Sequence, residues 1–349
     1  MAGISNGDLA DLLATRAESE TGFRQKAFKR AARAAFLWPE EASDLLAGAR
    51  SLEELHSVGP FIGEQLRGWI EHPPARSAAR DSLRRDFLTV AEARKILARD
   101  PTWSERLRGD LHMHTSWSDG SGAVADMAEA ADLRGYEYIA ITDHSKGLKI
   151  AGGIDESELL EQGVEIAATN ARLRIAESKL TVLRSIEMNL NPRGEGDMDA
   201  AELAKLDLVL GSFHSALRLK EDQTERYLAA LRNPDVHVLG HPRGRVYNYR
   251  VGLAADWPRV FAEAAKLNKA VEIDCYPDRQ DLNVELLKLV AKSGACVSLG
   301  TDAHHAWQLE FIELGVAAAL KAKILPDRII NFLPLPDLQT WIAELRANR

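Results

Sequence analysis

The spacing of apolar residues changes near residue 109 and divides the chain in two. Before that point apolar positions recur at helical spacing, as in residues 9–17 and 23–37, and no segment alternates as a strand does. Beyond it, short apolar runs alternate with helical segments. The pattern therefore predicts an all-helical N-terminal part followed by an α/β part.

Seven apolar runs in the second part predict β-strands. They cover residues 110–112, 138–142, 181–186, 208–212, 236–239, 270–273 and 296–299. Helical segments lie between them, at residues 123–134, 156–178, 224–232, 257–267 and 283–293. Alternating β and α elements give parallel strands with right-handed crossovers. Candidate ligands follow almost every strand, which favours a closed or nearly closed barrel over an open sheet with one switch point.

Composition and turn residues suggest the domain borders. Residues 1–72 are predicted to form a helical domain, and residues 109–325 the α/β domain. Residues 73–108 open with two prolines and hold nine Arg and Lys against five Asp and Glu, so we expect a basic linker there, with one short helix near residues 90–97. A helical tail is predicted for residues 326–349, with a helix at 337–345 capped by Asp337.

Composition and charge exclude several classes of protein. With 46% hydrophobic and 28% charged residues the chain is typical of globular proteins, and no apolar run approaches the roughly 18 residues of a membrane helix. A net charge of −8 argues against a surface that binds nucleic acid throughout, but five cations crowd into residues 24–33. The acidic start lacks the features of a signal peptide, and Cys275 and Cys296 are the only cysteines. These features indicate a cytoplasmic protein.

Side chains able to bind metal recur at the predicted carboxyl ends of the strands. In chain order they are His112, His114, Asp119, His144, Glu187, His214, His241, Asp302 and His304. Because the carboxyl ends of parallel barrel strands converge on one face, we expect these groups to meet. A single histidine at such a place is more often only hydrogen-bonded, but nine suitable groups in a chain with ten histidines predict a clustered site. Imidazoles and carboxylates without thiolate suit Zn²⁺, Mn²⁺ or Fe²⁺.

Six short segments carry most of these residues: GDLHMHTSWSDG, YIAITDHS, SIEMN, GSFHS, GHPRGR and LGTDAHH. Taken together they resemble the successive motifs of the polymerase and histidinol phosphatase (PHP) domain, most closely the version found in bacterial family X DNA polymerases. The resemblance covers about residues 109–325. It implies a distorted (β/α)₇ barrel with up to three divalent ions. The activity it implies is hydrolysis of phosphoesters by a metal-activated water, without a protein nucleophile.

The resemblance also implies how the ions share their ligands. The first ion would be held by His112, His114, Glu187 and Asp302. Glu187 would bridge to a second ion, bound also by His214 and His241, and the third would take Asp119, His144 and His304. One departure is Glu272-Ile-Asp274, where these relatives usually have Glu-x-Asn, so both carboxylates are left out of the ligand set.

The substrate phosphate should also meet fixed cations. Arg245 and Arg279 lie on the predicted loops after the fifth and sixth strands, at the same face as the ligands. We therefore predict that they contact the phosphate, with solvated surface arginines as the alternative.

The N-terminal segment SLEELHSVGPFIGEQLRGWI resembles a helix-hairpin-helix unit, and FRQKAFKRAARAA resembles the small N-terminal domain of the same polymerases. In such a unit the hairpin turns backbone amides toward a nucleic-acid phosphate, which points here to Val58, Gly59 and Gly63. The alternative is a helical module for packing or dimerisation. Residues 73–108 are too few for a nucleotidyl-transfer domain, so no polymerase activity is expected.

Three functions from different classes remain open. The first is a phosphoesterase acting on DNA 3′ ends, as a 3′–5′ exonuclease or a 3′-phosphatase, which the helix-hairpin-helix resemblance favours. The second is a small-molecule phosphatase such as histidinol-phosphate phosphatase, which the acidic charge favours. The third is a DNA-binding scaffold with an inactive barrel, against which the complete ligand set argues. An amidohydrolase also begins with His-x-His, but the pairs Asp143-His144 and Asp302-x-His304 favour the phosphoesterase pattern.

Overall fold

A computed structural model describes residues 3–74 and 82–347. Its N-terminal part is helical, as predicted, with α1 (Asn6–Glu18), α2 (Gly22–Ala34), α3 (Ala42–Ala47) and α4 (Pro60–Glu71). The side chain of Ser5 accepts a hydrogen bond from the Asp8 amide and so caps α1. Leu9, Leu13, Phe28 and Trp38 are among the residues that fill a separate core between these helices.

The stretch predicted as a basic linker is more structured than expected over its described part. The helix at residues 90–97 is confirmed as α5 (Val90–Leu97), and a second helix follows, α6 (Thr102–Arg106). Ala93 and Trp103 are buried in the same core as the β-strands. The predicted domain borders remain predictions, but this stretch packs against the α/β part along both helices.

The α/β architecture with parallel strands is confirmed. The strands are β1 (Gly109–Asp110), β2 (Tyr138–Ile141), β3 (Thr181–Arg184), β4 (Glu187–Asn189), β5 (Leu210–Ser212), β6 (Val238–Leu239), β7 (Ala270–Asp274) and β8 (Cys296–Gly300). They form two sheets, β1-β2-β3 and β4-β5-β6-β7-β8, and every pair is parallel. The run predicted as one strand at 181–186 is divided, because Ser185 and Ile186 leave the first sheet before Glu187 joins the second.

A closed barrel is not shown, since the strand ladders leave two sheets. Backbone hydrogen bonds nevertheless connect their edges. The amide of Leu210 in β5 donates at 3.1 Å to the carbonyl of Ile186, which lies between β3 and β4. The Asp302 amide donates to the His112 carbonyl at 3.0 Å, beyond the ends of β8 and β1. These bonds bring the ends of β8 and β1 side by side.

Of the eight outer helices in the described residues, six lie close to predicted segments, and those at residues 200–203 and 312–322 were not predicted. The eight are α7 (Val124–Asp132), α8 (Glu156–Ile175), α9 (Ala200–Leu203), α10 (Thr224–Arg232), α11 (Trp257–Lys266), α12 (Val284–Ser293), α13 (Ile312–Ala322) and α14 (Leu335–Ala347). The prediction that Asp337 caps the last helix is wrong: α14 begins at Leu335, because proline is tolerated in a first turn, and Asp337 lies within that turn. Across the described ranges, every helix is too short or too polar to cross a membrane.

Candidate metal centre

All nine predicted ligands come together at the carboxyl ends of the strands. Glu187, at the start of β4, lies at the centre and is fully buried. Its Oε1 is 2.7 Å from Nε2 of His241 and 3.2 Å from Nε2 of His214. Its Oε2 is 2.7 Å from Nδ1 of His144 and 3.7 Å from Nε2 of His112. One carboxylate therefore contacts side chains from four different strand ends.

The remaining predicted ligands contact one another, and Nε2 of His114 lies 3.8 Å from Oε2 of Glu187. Nε2 of His114 lies 3.0 Å from Oδ1 of Asp302. Oδ1 of Asp119 lies 3.3 Å from Nε2 of His304 and 3.5 Å from Nε2 of His144. His144 therefore lies between Asp119 and Glu187, within reach of two different groups of ligands.

Three overlapping groups of side chains have the spacing that a metal ion requires. In each group, one nitrogen or oxygen atom per residue lies within 4.8 Å of all the others. The groups are His114, Asp119, His144 and His304; His112, His114 and Glu187; and His144, Glu187 and His214. They resemble the expected three-ion arrangement, except that His144 and His114 each belong to two groups and that the predicted ligands His241 and Asp302 belong to none. The assignment of each residue to a particular ion stays a prediction.

Unpaired buried atoms show that these residues fit a metal better than they fit one another. Both carboxylate oxygens of Glu187, Nδ1 of His144 and Nε2 of His214 are buried without a hydrogen-bond partner of good geometry among the described residues. Leaving buried polar atoms unpaired costs free energy, and shared coordination of a cation would remove that cost. The side chains are thus oriented toward common points instead of toward each other.

The charges in the site favour the ionised form of Glu187, the residue predicted to bridge two ions. Burial alone would raise the pKa of Glu187, but the surrounding histidines, led by His214, hold it well below its usual range. Burial lowers the pKa of His114 to about 3, helped by the positive charge of His144. Glu187 is therefore a carboxylate and His114 a neutral imidazole, which are the forms that bind metal.

His304 differs from His114 in its protonation. Burial opposes its charge, but Asp119 and Asp302 outweigh burial and raise the pKa of His304 to about 9. In the absence of an ion it therefore carries a proton at neutral pH. Binding a cation at this position would displace that proton.

Glu272, which the sequence analysis left out of the ligand set, orients two of the ligands. Its Oε1 lies 2.6 Å from Nδ1 of His112, and its Oε2 accepts a hydrogen bond from the backbone amide of His241. Because the carboxylate takes Nδ1 of His112, Nε2 of that ring is left to face Glu187. The sequence signal for this role was a carboxylate near the end of the sixth predicted strand. Sequence alone, however, does not distinguish a metal ligand from a residue that hydrogen-bonds to a ligand and orients it.

Arg279 and Asp274 form an ionic cluster beside Asp302. Nε of Arg279 lies 3.1 Å from Oδ2 of Asp302 and 3.9 Å from Oδ2 of Asp274. Burial would lower the pKa of Arg279, but these carboxylates, with Asp302 first, raise it. Arg279 is thus a fixed cation at the edge of the metal centre, in the position predicted for a phosphate contact.

The prediction for Arg245 needs correction. This residue is 4% exposed, its guanidinium carbon lies 3.7 Å from the centre of the Phe87 ring, and its Nη2 donates to the Arg85 carbonyl at 2.8 Å. Burial lowers its pKa to about 10. Arg245 therefore fastens the stretch before α5 to the α/β part, which leaves it poorly placed to meet a substrate phosphate.

The predicted hairpin residues also differ from expectation in part. Val58 is buried in the N-terminal core, and the Gly63 amide donates to the Gly59 carbonyl at 2.8 Å, inside α4. Gly59 precedes α4 as its N-cap, with Pro60 as the first helical residue. Val58 and Gly59 thus lie in the connection before α4 and Gly63 lies inside the helix, and a helix-hairpin-helix unit at these residues stays a prediction.

Comparisons with known proteins agree with this site. Residues 110–301 match the PHP domain family. The chain is 36% identical over 238 residues to the DNA polymerase/3′-5′ exonuclease PolX of Bacillus subtilis, a match that covers 68% of this chain but 41% of that protein. It is 27% identical over 232 residues to the probable phosphatase YcdX of Escherichia coli K12, covering 64% of this chain and 90% of that protein.

One solved structure was also matched, that of histidinol phosphate phosphatase from Lactococcus lactis complexed with zinc, L-histidinol and phosphate. The match has a TM-score of 0.42 and 18% identity, and it covers 62% of this chain and 94% of that one. The family match, by contrast, spans the segment that supplies seven of the nine predicted ligands and ends one residue before Asp302. The chain belongs to the PHP domain family of metal-dependent phosphoesterases.

Proposed function

We propose that this protein hydrolyses phosphoesters at the 3′ ends of DNA, as a 3′–5′ exonuclease or a 3′-phosphatase. Up to three divalent ions, Zn²⁺, Mn²⁺ or Fe²⁺, would be held by the nine predicted ligands, with Glu187 at their centre. The observation that carries the proposal is the convergence of four strand ends on that one buried carboxylate. We further infer that the two parallel sheets act together as one distorted barrel that holds these ends in place.

The protein's own residues prepare the site for a phosphoester. When bound, the ions would polarise the phosphoryl oxygens and lower the pKa of water. Glu272 fixes the orientation of His112, so that its free nitrogen points toward Glu187. Arg279, kept protonated beside Asp302, would pair with an oxygen of the substrate phosphate. No serine or cysteine nucleophile is needed.

The exposed face of α2 supports a nucleic-acid substrate. Its five cations, Arg24, Lys26, Lys29, Arg30 and Arg33, are all exposed. Within residues 3–74 and 82–347 none of the five forms an ion pair, so the positive charge of this face is not neutralised locally. All of them but Arg24 share one side of α2, and unpaired cations grouped in this way suit the phosphates of a nucleic acid. The relative named as a polymerase and exonuclease is consistent with DNA as the partner.

The helical part lies against a loop that leads out of the metal centre. The aromatic rings of Phe36 and Tyr247 are 4.7 Å apart, and Tyr247 also donates to Asp11 of α1 at 3.3 Å. Tyr247 belongs to the loop that follows β6 and His241. DNA bound by the N-terminal part would therefore be held next to the face that carries the metal ligands. We infer that this part supplies the DNA contacts.

An assay with full-length protein separates the two leading functions. Purified protein is incubated with 3′-labelled oligonucleotides and with histidinol phosphate, each with Mn²⁺ and each with chelator. We expect metal-dependent release from the oligonucleotide 3′ end and much slower hydrolysis of histidinol phosphate. The reverse order of rates would contradict a DNA substrate.

A small-molecule phosphatase remains the second candidate. It is favoured by the match to the probable phosphatase YcdX, which spans 90% of that protein, and by the net charge of −8. The cytoplasmic location indicated by the two cysteines suits either function and stays a prediction.

A further inference from the structure

Three arginines and a tyrosine lie on the loops that follow β5, β6 and β7. We refer to Arg218, Tyr249, Arg250 and Arg279 as the arginine track. It begins at the metal centre, where Arg279 contacts Asp302 at 3.1 Å. Its other members belong to the loops that also carry the predicted ligands His214 and His241, so the track extends outward from the same rim.

Arg250 is held close to the start of that rim. Its Nε donates to the carbonyl of Gly244, whose own amide donates to the His241 carbonyl at 3.0 Å. Two successive hydrogen bonds thus connect Arg250 to the backbone of a predicted ligand. The position of the guanidinium relative to the metal centre is therefore fixed by backbone contacts and not left to a free side chain.

Tyr249 presents an aromatic ring to solvent between two of the arginines. It is 59% exposed, in a loop whose first part, residues 241–247, is mostly buried. The guanidinium carbon of Arg218 lies 4.5 Å from its ring centre, and that of Arg250 lies 6.0 Å from it. An exposed ring flanked by cations is the arrangement that proteins use to stack the bases of single-stranded nucleic acid.

Two of the three cations of the track lack an ion pair. Among the residues that the structure describes, neither Arg218 nor Arg250 forms one, whereas Arg279 pairs with Asp302 and Asp274. Burial lowers the pKa of Arg250, and the neighbouring charges of Arg279 and Arg218 lower it further. A cavity of about 180 Å³ beside Arg250 is lined by further arginines, Arg85 and Arg243 among them. Like charges held this close repel each other, and a bound polyanion would relieve that repulsion.

We propose that the arginine track binds the single-stranded segment that leads to the scissile 3′ end, with its phosphates on Arg250 and Arg218 and a base stacked on Tyr249. The proposal rests on the proposed function, since it requires a phosphoester chain at the metal centre. A small phosphate ester offers one anionic group, which the metal centre and Arg279 can hold without help. A polynucleotide supplies the successive phosphates and the base that the outer members of the track need.

The test measures binding and turnover separately, with the full-length protein loaded with Mn²⁺. Binding is followed by fluorescence anisotropy of a short phosphorothioate oligothymidylate, which resists hydrolysis, across a salt series. Turnover is followed as KM for 3′ release from the unmodified oligothymidylate and for hydrolysis of thymidine 3′-monophosphate. The variants are Tyr249→Ala, Tyr249→Phe and Arg218→Ala. Arg134→Ala serves as the control, because Arg134 is an exposed arginine at the end of α7 that bonds its own helix.

Stacking of a base contributes enough that Tyr249→Ala should weaken oligonucleotide binding roughly tenfold or more, while Tyr249→Phe should retain most of it. Arg218→Ala should reduce the slope of log affinity against log salt by about 0.7, the value for one phosphate contact on a single strand. KM for the oligonucleotide should rise well beyond KM for the mononucleotide in both alanine variants. Arg134→Ala should behave as wild type.

Other outcomes would overturn the proposal in distinguishable ways. If wild type trims oligonucleotides but Tyr249→Ala and Arg218→Ala bind them normally, the track is wrong and the proposed function stands. If KM for the mononucleotide rises as much in Tyr249→Ala as KM for the oligonucleotide does, the Tyr249 ring contacts the terminal nucleotide itself. The proposal that the track binds the strand leading to it is then wrong. If the track binds oligonucleotide but wild type releases nothing from its 3′ end, the proposed function fails and only binding remains.

Discussion

The carboxylate of Glu272 lies 2.6 Å from Nδ1 of His112 and also accepts the backbone amide of His241. It thereby joins the ends of three strands, β1, β6 and β7, at the floor of the metal centre. Burial would favour a neutral His112, but Glu272, followed by Glu187, raises the pKa of His112 well above its usual value. The pair fixes which nitrogen of His112 faces the ion site.

Glu272→Gln should therefore weaken metal binding without removing a ligand. Substitution of a carboxylate that orients a ligating histidine typically costs about 10- to 100-fold in metal affinity or activity. Competition with a calibrated chelator measures the affinity, and circular dichroism checks the fold. Glu285→Gln is the matched control, since Glu285 is 61% exposed on α12 and pairs with Lys288 of the same helix. An affinity equal to wild type would show that Glu272 does not position His112.

Metal binding should release protons in a way that depends on pH. The pKa of His304 is raised to about 9 before a cation binds, so below that pH the ion must displace a proton from it. His114, with its pKa lowered to about 3, has none to release. We expect affinity at the Asp119 group to rise with pH up to about 9. Calorimetry in buffers of different ionisation enthalpy measures the released protons, and no proton release at pH 7 would contradict the assignment.

Arg245→Ala should destabilise the protein more than it impairs catalysis. The substitution removes a buried guanidinium from the Phe87 ring and leaves the Arg85 carbonyl without its donor. Desolvated cation–π contacts and buried hydrogen bonds are each worth about 1–3 kcal/mol, so the free energy of unfolding should fall by roughly that amount. Arg259→Ala, which breaks an exposed ion pair with Glu225, should have a far smaller effect. Denaturant unfolding measures both. A large rise in KM with unchanged stability would restore Arg245 as a substrate contact.

Neutralising the exposed face of α2 should reduce binding of duplex DNA. Each of Lys26, Lys29 and Arg30 that contacts a phosphate should contribute about 0.9 to the slope of log affinity against log salt. The triple alanine variant is compared with wild type over a salt series, using the full-length chain. Removing residues 1–108 would be a poor alternative, because Ala93 and Trp103 belong to the core of the α/β part. An unchanged slope would indicate that α2 packs or dimerises and does not bind DNA.

The parallel strands and the convergence of the ligands could be predicted from sequence, because both follow from local patterns. Apolar runs define parallel strands, and residues at the ends of such strands must meet. This is why His112, His241 and Asp302 could be placed on one rim although they are far apart along the chain.

Features that depend on distant partners could not be predicted. Arg245 lies in a loop motif that suggests a substrate contact, and only its packing on Phe87 shows otherwise. α6 spans five residues, too few to show helical periodicity. The run RVYNYR, in which two arginines flank two tyrosines, is a sequence signal for the arginine track. The path of the track across the surface depends on Arg218 and Arg279, which lie in other loops.

The most direct test of the account is the metal content and phosphoesterase activity of wild type and Glu187→Gln, measured on the same preparations. Glu187 contacts a ligand of every expected ion site, since His144 is expected to share its ion with Asp119 and His304. Wild type should retain more than one divalent ion per chain and hydrolyse phosphoesters until chelator is added. Glu187→Gln should lose most of the metal and the activity while staying folded. Wild-type metal content below one ion per chain, or full activity in Glu187→Gln, would contradict the account.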